Sequence, residues 1–117
     1  MRHFSLPEFQ CSHTGHVAME DRFLQKLDQL REICGFPFQI TSGYRDPSHP
    51  VEMAKPKARR GKGTHCLGIA ADIAVSGGTQ RYDLIHQAIQ LGFSGIGVAK
   101  SFIHVDTRTT HPVIWSY

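Results

Sequence analysis

Apolar side chains recur at helical spacing in two segments of the chain. In residues 20–35, Phe23, Leu27 and Leu30 fall on one face of a helix, because a spacing of three to four residues matches the helical period. Acidic residues occupy the first turn, where they suit the helix dipole, and Gly35 is suited to end the helix. This segment predicts a first amphipathic helix.

A second helix is predicted over residues 80–92, QRYDLIHQAIQLG. Leu84 and Ala88 lie one turn apart on its apolar face, next to two isoleucines. Thr79 is the expected N-cap, since its hydroxyl can accept a hydrogen bond from a free amide of the first turn. Gly92 is the expected stop.

Alternating or short apolar runs predict a small sheet around these helices. The runs with the length of strands are residues 38–42, 67–75, 95–100 and 102–108. The last two meet at Lys100–Ser101, as in a hairpin. The order of elements predicts one α+β domain over residues 1–117, with a small, mostly antiparallel sheet flanked by helices. The tail HPVIWSY is expected to pack Trp115 back on the core.

Size and composition agree with one domain. The chain has 117 residues, of which 40% are apolar, so it can bury one core and not two. A net charge of +3 says little about partners. The three cysteines, Cys11, Cys34 and Cys66, are odd in number and irregular in spacing, which favours reduced thiols over a disulfide framework.

The N-terminal segment predicts where the chain is made. MRHFSLPEFQCSHTG contains no apolar run typical of a secretory signal, and no run in the chain approaches the length that spans a bilayer. We therefore expect a soluble chain, synthesised in the cytoplasm without membrane insertion, and a monomer. A role outside the cytoplasm would need another factor to carry or release it.

The run FIHVDTR has one apolar face and one polar face. Alternate residues of a strand share a face, so His104, Asp106 and Arg108 point the same way. Ile103 and Val105 point to the other side. A strand that only filled a core would not need an imidazole, a carboxylate and a guanidinium together.

The stretch GTHCLGIAADIAV supplies a second imidazole and a second carboxylate. Asp72 shares a face with the small Ala70, and Gly68 allows the chain to turn and return His65 toward Asp72. Together with His104 they form a set that zinc accepts, with a fourth position left for water. The alternative is an ordinary hydrogen-bonded Asp–His pair, because spacings of this kind are weak motifs.

Several motifs, taken in order, resemble a known enzyme family. SGYR, HCLGIAAD and FIHVDTR with a nearby Trp are similar to the zinc D-Ala-D-Ala carboxypeptidases and their phage endolysin relatives, which share the fold of the hedgehog signalling domain. The opening FSLPEFQCSHTG, followed by a helix and GFPFQITSGYR, resembles the phage-type branch. The resemblance runs from about Phe4 to Trp115.

The resemblance implies a hedgehog/DD-peptidase-like fold and a zinc peptidase that cleaves peptidoglycan stem peptides or cross-links at D-alanyl bonds. It implies a phage or phage-derived lysis enzyme that acts on the cell wall after release, or as part of a virion. The alternatives are a metal-dependent nuclease and a non-catalytic module that keeps zinc for stability. No specific nucleic-acid partner is expected.

The family pattern also implies roles for single residues. His65, Asp72 and His104 would bind one zinc ion. Arg45 would contact the substrate and the developing oxyanion, and a fixed guanidinium can stabilise that charge. His49, which the family pattern does not assign, is a candidate substrate-binding residue that lines the cleft, and its alternative is a loop histidine without a role. Similar proteins often have an asparagine near this point.

The motifs do not place a general base at the position usual for the family. Many relatives carry Glu or Asp three residues before the last histidine, where this chain has Ser101. Asp106 is the candidate catalytic base. Its alternative role is to accept the other N–H of a ligand histidine and fix the tautomer, and a strand spacing of two residues leaves both roles open.

Two further clusters have no assigned role. Cys11, His13 and His16 would need another donor to complete a metal site. The basic loop, residues 55–62, has three alternative interpretations. It is a solvated loop, a surface that attracts the anionic cell wall, or a site that binds nucleic acid.

Overall fold

The computed structural model describes residues 2–117 and contains one five-stranded sheet with three α-helices. The helices are α1 (Asp21–Cys34), α2 (Pro50–Met53) and α3 (Gly77–Gln90), and short 3-10 turns lie at Leu6–Phe9 and Lys57–Arg59. The strands are β1 (Ile40–Ser42), β2 (Ala70–Ala74), β3 (Gly95–Val98), β4 (Phe102–Asp106) and β5 (Val113–Ser116).

The strand order is β1-β2-β4-β3-β5, so β4 lies at the centre of the sheet. All neighbouring pairs are antiparallel except β3 with β5, which is parallel. The predicted α+β class and mostly antiparallel sheet are confirmed, as is the hairpin of β3 and β4. The central strand is therefore the one whose sequence carries His104 and Asp106.

The two faces of the sheet have different chemistry because strand residues alternate. One face packs under α1 and α3 and forms the hydrophobic core. The core side chains on these strands and helices are Leu27, Leu30, Ala71, Ile73, Leu84, Ala88, Ile103 and Val105. The opposite face, called the site face below, carries Asp72, His104, Asp106 and Trp115. Within residues 2–117, none of the helices combines the length and apolar character needed to cross a bilayer.

Helix α3, which the sequence predicted over residues 80–92, begins earlier than predicted, at Gly77. Its N-cap is Ser76 rather than Thr79. The Gln80 side chain accepts a hydrogen bond from the Ser76 amide at 3.0 Å, which ties down the start of the helix although two glycines follow Ser76.

The C-terminal tail also differs from its prediction. Residues 113–116 form β5 at the edge of the sheet, in parallel register with β3. Trp115 lies on the site face instead of packing on the core. The expectation for Trp115 was wrong because the tail adds a strand, and its alternation turns the indole away from the helices.

Gly68 provides a test of how the chain enters β2. Its φ is +73°, and a Cβ there would lie against the carbonyl oxygen of Ala18. Gly68→Ala should lower the free energy of unfolding by at least about 2 kcal/mol, because left-handed strain and a backbone clash add. Urea unfolding followed by circular dichroism measures it.

Gly78→Ala is the matched control, since a Cβ there meets nothing within 4 Å. It should be neutral or stabilising by up to about 1 kcal/mol. Equal stability of Gly68→Ala and wild type would contradict the close approach of the two segments.

Candidate active site

Three predicted metal ligands converge on the site face. The antiparallel pairing of β2 with β4 sets Asp72 directly opposite His104, while His65 comes from the loop before β2. Asp72 Oδ1 lies 2.9 Å from His104 Nδ1 and 3.4 Å from His65 Nε2. One ligand atom from each of the three residues lies within 4.8 Å of the others. These residues, called the metal triad below, have side chains 5–13% exposed.

The His65 ring is oriented by the SGYR segment. Its Nδ1 lies 2.7 Å from the carbonyl oxygen of Gly43, and a carbonyl can only accept, so Nδ1 carries the proton. The His65 carbonyl accepts hydrogen bonds from the amides of Arg45 and Gly68, each at 3.3 Å. Nε2 is therefore the nitrogen that faces Asp72.

The His104 ring is oriented by a fully buried carboxylate. Asp106 is 0% exposed, and its Oδ2 lies 2.7 Å from His104 Nε2. The Arg108 guanidinium donates two hydrogen bonds to Asp106, at 2.9 and 2.7 Å, and the Arg108 amide donates a third. Burial opposes ionisation, but the hydrogen bonds from His104 and Arg108 outweigh it and hold the pKa of Asp106 far below its usual range.

The hydrogen bonds around the metal triad fit a cation at its centre. Gly43 and Asp106 each accept the proton of one imidazole, so the inner nitrogens of His65 and His104 direct lone pairs toward Asp72. Burial disfavours the Asp72 carboxylate, yet its bonds to the two histidines lower its pKa to about 2. The lone pairs of the two rings and the Asp72 anion then face one another. A divalent ion between them, or extra protons on the rings, would supply the positive charge that offsets their repulsion.

The electrostatics of His104 favour an extra proton on its ring when no metal ion is bound. Burial alone would lower its pKa, but hydrogen bonds to Asp106 and Asp72 raise it above the ordinary value. A proton and a metal ion therefore compete for the same inner nitrogen. The donor set of two imidazoles and one carboxylate is one that zinc accepts, with room for a fourth ligand.

Two glycines on β3 leave space beside the metal triad. A Cβ at Gly95 would overlap the Asp106 carboxylate, and one at Gly97 would lie 2.8 Å from the Trp115 ring. The carboxylate and the indole therefore lie on bare backbone, with the Trp115 and His104 ring centroids 5.1 Å apart. Our sequence reading missed this packing, although glycines at alternate strand positions are a recognised sign of close approach.

The two predicted substrate-binding residues line one small cavity. Arg45 and His49 border a space of about 50 Å³ together with Ser12 and Gly43. His49 Nδ1 accepts a hydrogen bond from the Val51 amide, so its Nε2 carries a proton and can donate to Ser12 Oγ, 3.1 Å away. Because Gly43 also binds His65, the cavity adjoins the metal triad.

Other histidines, cysteines and Ser101 do not join the site. Ser101 is exposed at the turn between β3 and β4. Among residues 2–117, the metal triad is the only group of three histidine, cysteine, aspartate or glutamate side chains whose ligand atoms converge. Cys11 is buried and accepts a hydrogen bond from the Asp46 amide, while the His13 ring contacts His49. In the part of the chain that the structure describes, the ligand atoms of Cys11, His13 and His16 therefore do not converge as a second metal site would require.

The basic loop is anchored by one buried carboxylate. Glu52 is 0% exposed; Lys55 Nζ lies 2.9 Å from its Oε2, and the Gly61 amide donates to its Oε1 at 2.8 Å. Burial, with the nearby Glu52 charge, raises the pKa of the Cys66 thiol to about 11, so this thiol stays neutral. The exposed cations of the loop are Lys57, Arg59 and Lys62.

The raised pKa of His104 predicts a pH-dependent metal affinity. Zinc affinity should be level above that pKa and fall by about tenfold or more per pH unit below it, because the ion must displace a proton. Competition titrations with a chromophoric chelator between pH 5.5 and 8.5 measure the effect. The exposed His86→Ala variant should reproduce the wild-type curve. An affinity independent of pH over this range would contradict His104 as a ligand.

Comparisons with known proteins agree with the geometry. No curated protein matches the chain. The sequence model of the peptidase M15 family matches residues 2–106, which include the metal triad, Arg45 and Asp106. Convergent His, Asp and His ligands on a small α+β sheet suit the metal-dependent hydrolysis of a peptide bond. With most of its length matched, the chain belongs to the peptidase M15 family.

Proposed function

We propose that the protein is a zinc-dependent peptidase that cleaves peptidoglycan stem peptides or their cross-links, at bonds involving D-alanine. The observation that carries this proposal is the convergence of the metal triad in a chain of the peptidase M15 family. The choice of substrate is supported by the SGYR, HCLGIAAD and FIHVDTR motifs, which resemble those of the zinc D-Ala-D-Ala carboxypeptidases.

The metal triad would hold one zinc ion. When bound, zinc supplies Lewis-acid activation of a water molecule and of the scissile carbonyl. The chain's own contribution is orientation. Gly43 fixes the tautomer of His65 and Asp106 fixes that of His104, so both rings present unprotonated nitrogens without rearrangement.

Of the two roles open for Asp106, the geometry favours orientation of His104 over proton transfer. A general base needs access to the water and a pKa near the working pH. Asp106 is fully buried, and Arg108 and His104 occupy its oxygens. Its depressed pKa makes it a poor proton acceptor at neutral pH. We therefore assign it the role of a positioning residue.

Arg45 is proposed to bind the substrate. Its backbone is joined to His65 by a hydrogen bond, and its side chain borders the cavity beside the metal triad. A guanidinium held there can bind a substrate carboxylate or the negative charge that develops on the carbonyl oxygen. His49 and Ser12 would add polar contacts in the same cavity.

The proposed biological role is that of a phage or phage-derived lysis enzyme, acting as a monomer on the cell wall after release or from a virion. The resemblance of the opening segment to the phage-type branch supports it. The exposed cations of the basic loop would attract an anionic wall. Membership of a peptidase family favours this role over the nuclease alternative.

Purified muropeptides test the proposal. Zinc-loaded protein should release fragments that mass spectrometry assigns to cleavage at a D-alanyl bond. A chelator should stop the reaction and added zinc should restore it. His65→Ala should lose both bound zinc and cleavage, whereas the exposed His86→Ala should keep both. Intact muropeptides with degraded plasmid DNA in a parallel assay would favour the nuclease and defeat the proposal.

Asp106→Asn separates orientation from proton transfer. If Asp106 positions His104, zinc affinity should fall by roughly 10- to 100-fold, while kcat at saturating zinc stays within about tenfold of wild type. The exposed Asp21→Asn serves as the control, with both quantities unchanged. A loss of kcat by about 10²-fold or more with normal zinc affinity would instead identify Asp106 as the base.

A further inference from the structure

A row of aromatic side chains continues the site face beyond His104. The rings of Phe102 and Tyr117 have centroids 5.3 Å apart, and those of Trp115 and Tyr117 are 6.3 Å apart. Trp115 in turn lies 5.1 Å from His104. These three residues, called the aromatic row below, lead from the exposed edge of the sheet to the metal triad.

The backbone determines the place of Tyr117. Alternate residues of an extended chain share a face, so Tyr117 follows Trp115 onto the site face. The Tyr117 amide donates a hydrogen bond to the Val98 carbonyl at 3.2 Å, which continues the pairing of β5 with β3. The bare backbone at Gly97 leaves space for the Trp115 ring, which contacts the rings of both His104 and Tyr117.

The Tyr117 hydroxyl keeps its proton. Burial raises its pKa, the Trp115 side chain opposes that rise, and the charges of Asp72, Arg45 and Asp106 also act on it. The phenol is therefore protonated at neutral pH and can donate a hydrogen bond.

Packing does not account for this arrangement. Tyr117 is 70% exposed and lies outside the hydrophobic core. It also lies beyond residues 2–106, which match the family. An exposed aromatic ring that is separated from His104 by one other ring has the chemistry of a binding surface. Its face can contact apolar groups and its O–H can bind a polar group.

We propose that Tyr117 is a substrate-binding residue. Its hydroxyl donates a hydrogen bond to a carbonyl oxygen of the bound peptide, and its ring, with that of Phe102, contacts the apolar side chain next to the cleaved bond. The inference rests on the proposed peptidase function. It assigns the aromatic row to the apolar part of the substrate and the Arg45 cavity to the polar part.

Kinetics on a D-alanyl peptide test the role of Tyr117. Tyr117→Ala should raise KM by about tenfold, while Tyr117→Phe, which keeps the ring, should raise it by roughly threefold. In both variants kcat should stay within about threefold of wild type, with unchanged zinc content. Tyr82→Ala is the matched control, because Tyr82 is 68% exposed on α3. A Tyr117→Ala variant with wild-type KM would overturn the inference and leave the peptidase function standing.

Fluorescence gives a readout that does not depend on turnover. Trp115 is the only tryptophan of the chain, so its emission reports on the aromatic row. Titration of the zinc-loaded protein with a hydrolysis-resistant acyl-D-Ala-D-Ala analogue should give a saturable change, with an affinity about tenfold weaker in Tyr117→Ala and unchanged in Tyr82→Ala. If the wild type binds in this way but cleaves no muropeptide, the peptidase function fails and the binding role stands. No saturable change, or equal affinities, would overturn the role of Tyr117.

Discussion

The antiparallel register of β2 and β4 places a carboxylate opposite an imidazole, and the rest of the site is arranged around that pair. Asp72 faces His104 across the two strands, and His65 reaches the same oxygen from the preceding loop. A slip of one residue in this register would turn Asp72 toward the helices and an alanine toward the site. The register is held by the opposite face, where Ile73 and Ile103 are buried.

A second layer of hydrogen bonds determines what the pair can bind. The acceptors behind the two rings are a main-chain carbonyl at Gly43 and the Asp106 carboxylate. Each holds a proton on the outer nitrogen and leaves the inner one to a metal ion or to a further proton. Asp106 can be buried as an anion because Arg108 neutralises it and Gly95 leaves it space. The site is therefore a connected network in which each group depends on its neighbours.

The division of the sheet into two faces explains how so short a chain can hold such a site. Helices α1 and α3 pack on the apolar face, and the polar face carries the metal triad. Arg45 with its cavity and the aromatic row flank the metal triad on that polar face. Two surfaces of different chemistry thus meet beside one set of ligands, which is a suitable arrangement for a substrate with one charged and one apolar part.

Local pattern alone predicted α1, most of α3, the hairpin and the polar face of β4, because alternation and helical spacing depend only on neighbouring residues. The short helix α2 was not predicted, since Pro50–Met53 lies in a stretch that reads as a loop. Local pattern also identified His65, Asp72 and His104 as candidates, since their types and order restrict the possible chemistry. Tertiary structure decided what depends on distant segments meeting. The parallel pairing of β5 with β3 brought Trp115 beside His104, and the burial of Asp106 under Arg108 favoured orientation of a ring over proton transfer. A spacing of two residues gives proximity, but only packing around a side chain decides its exposure, its partners and its pKa.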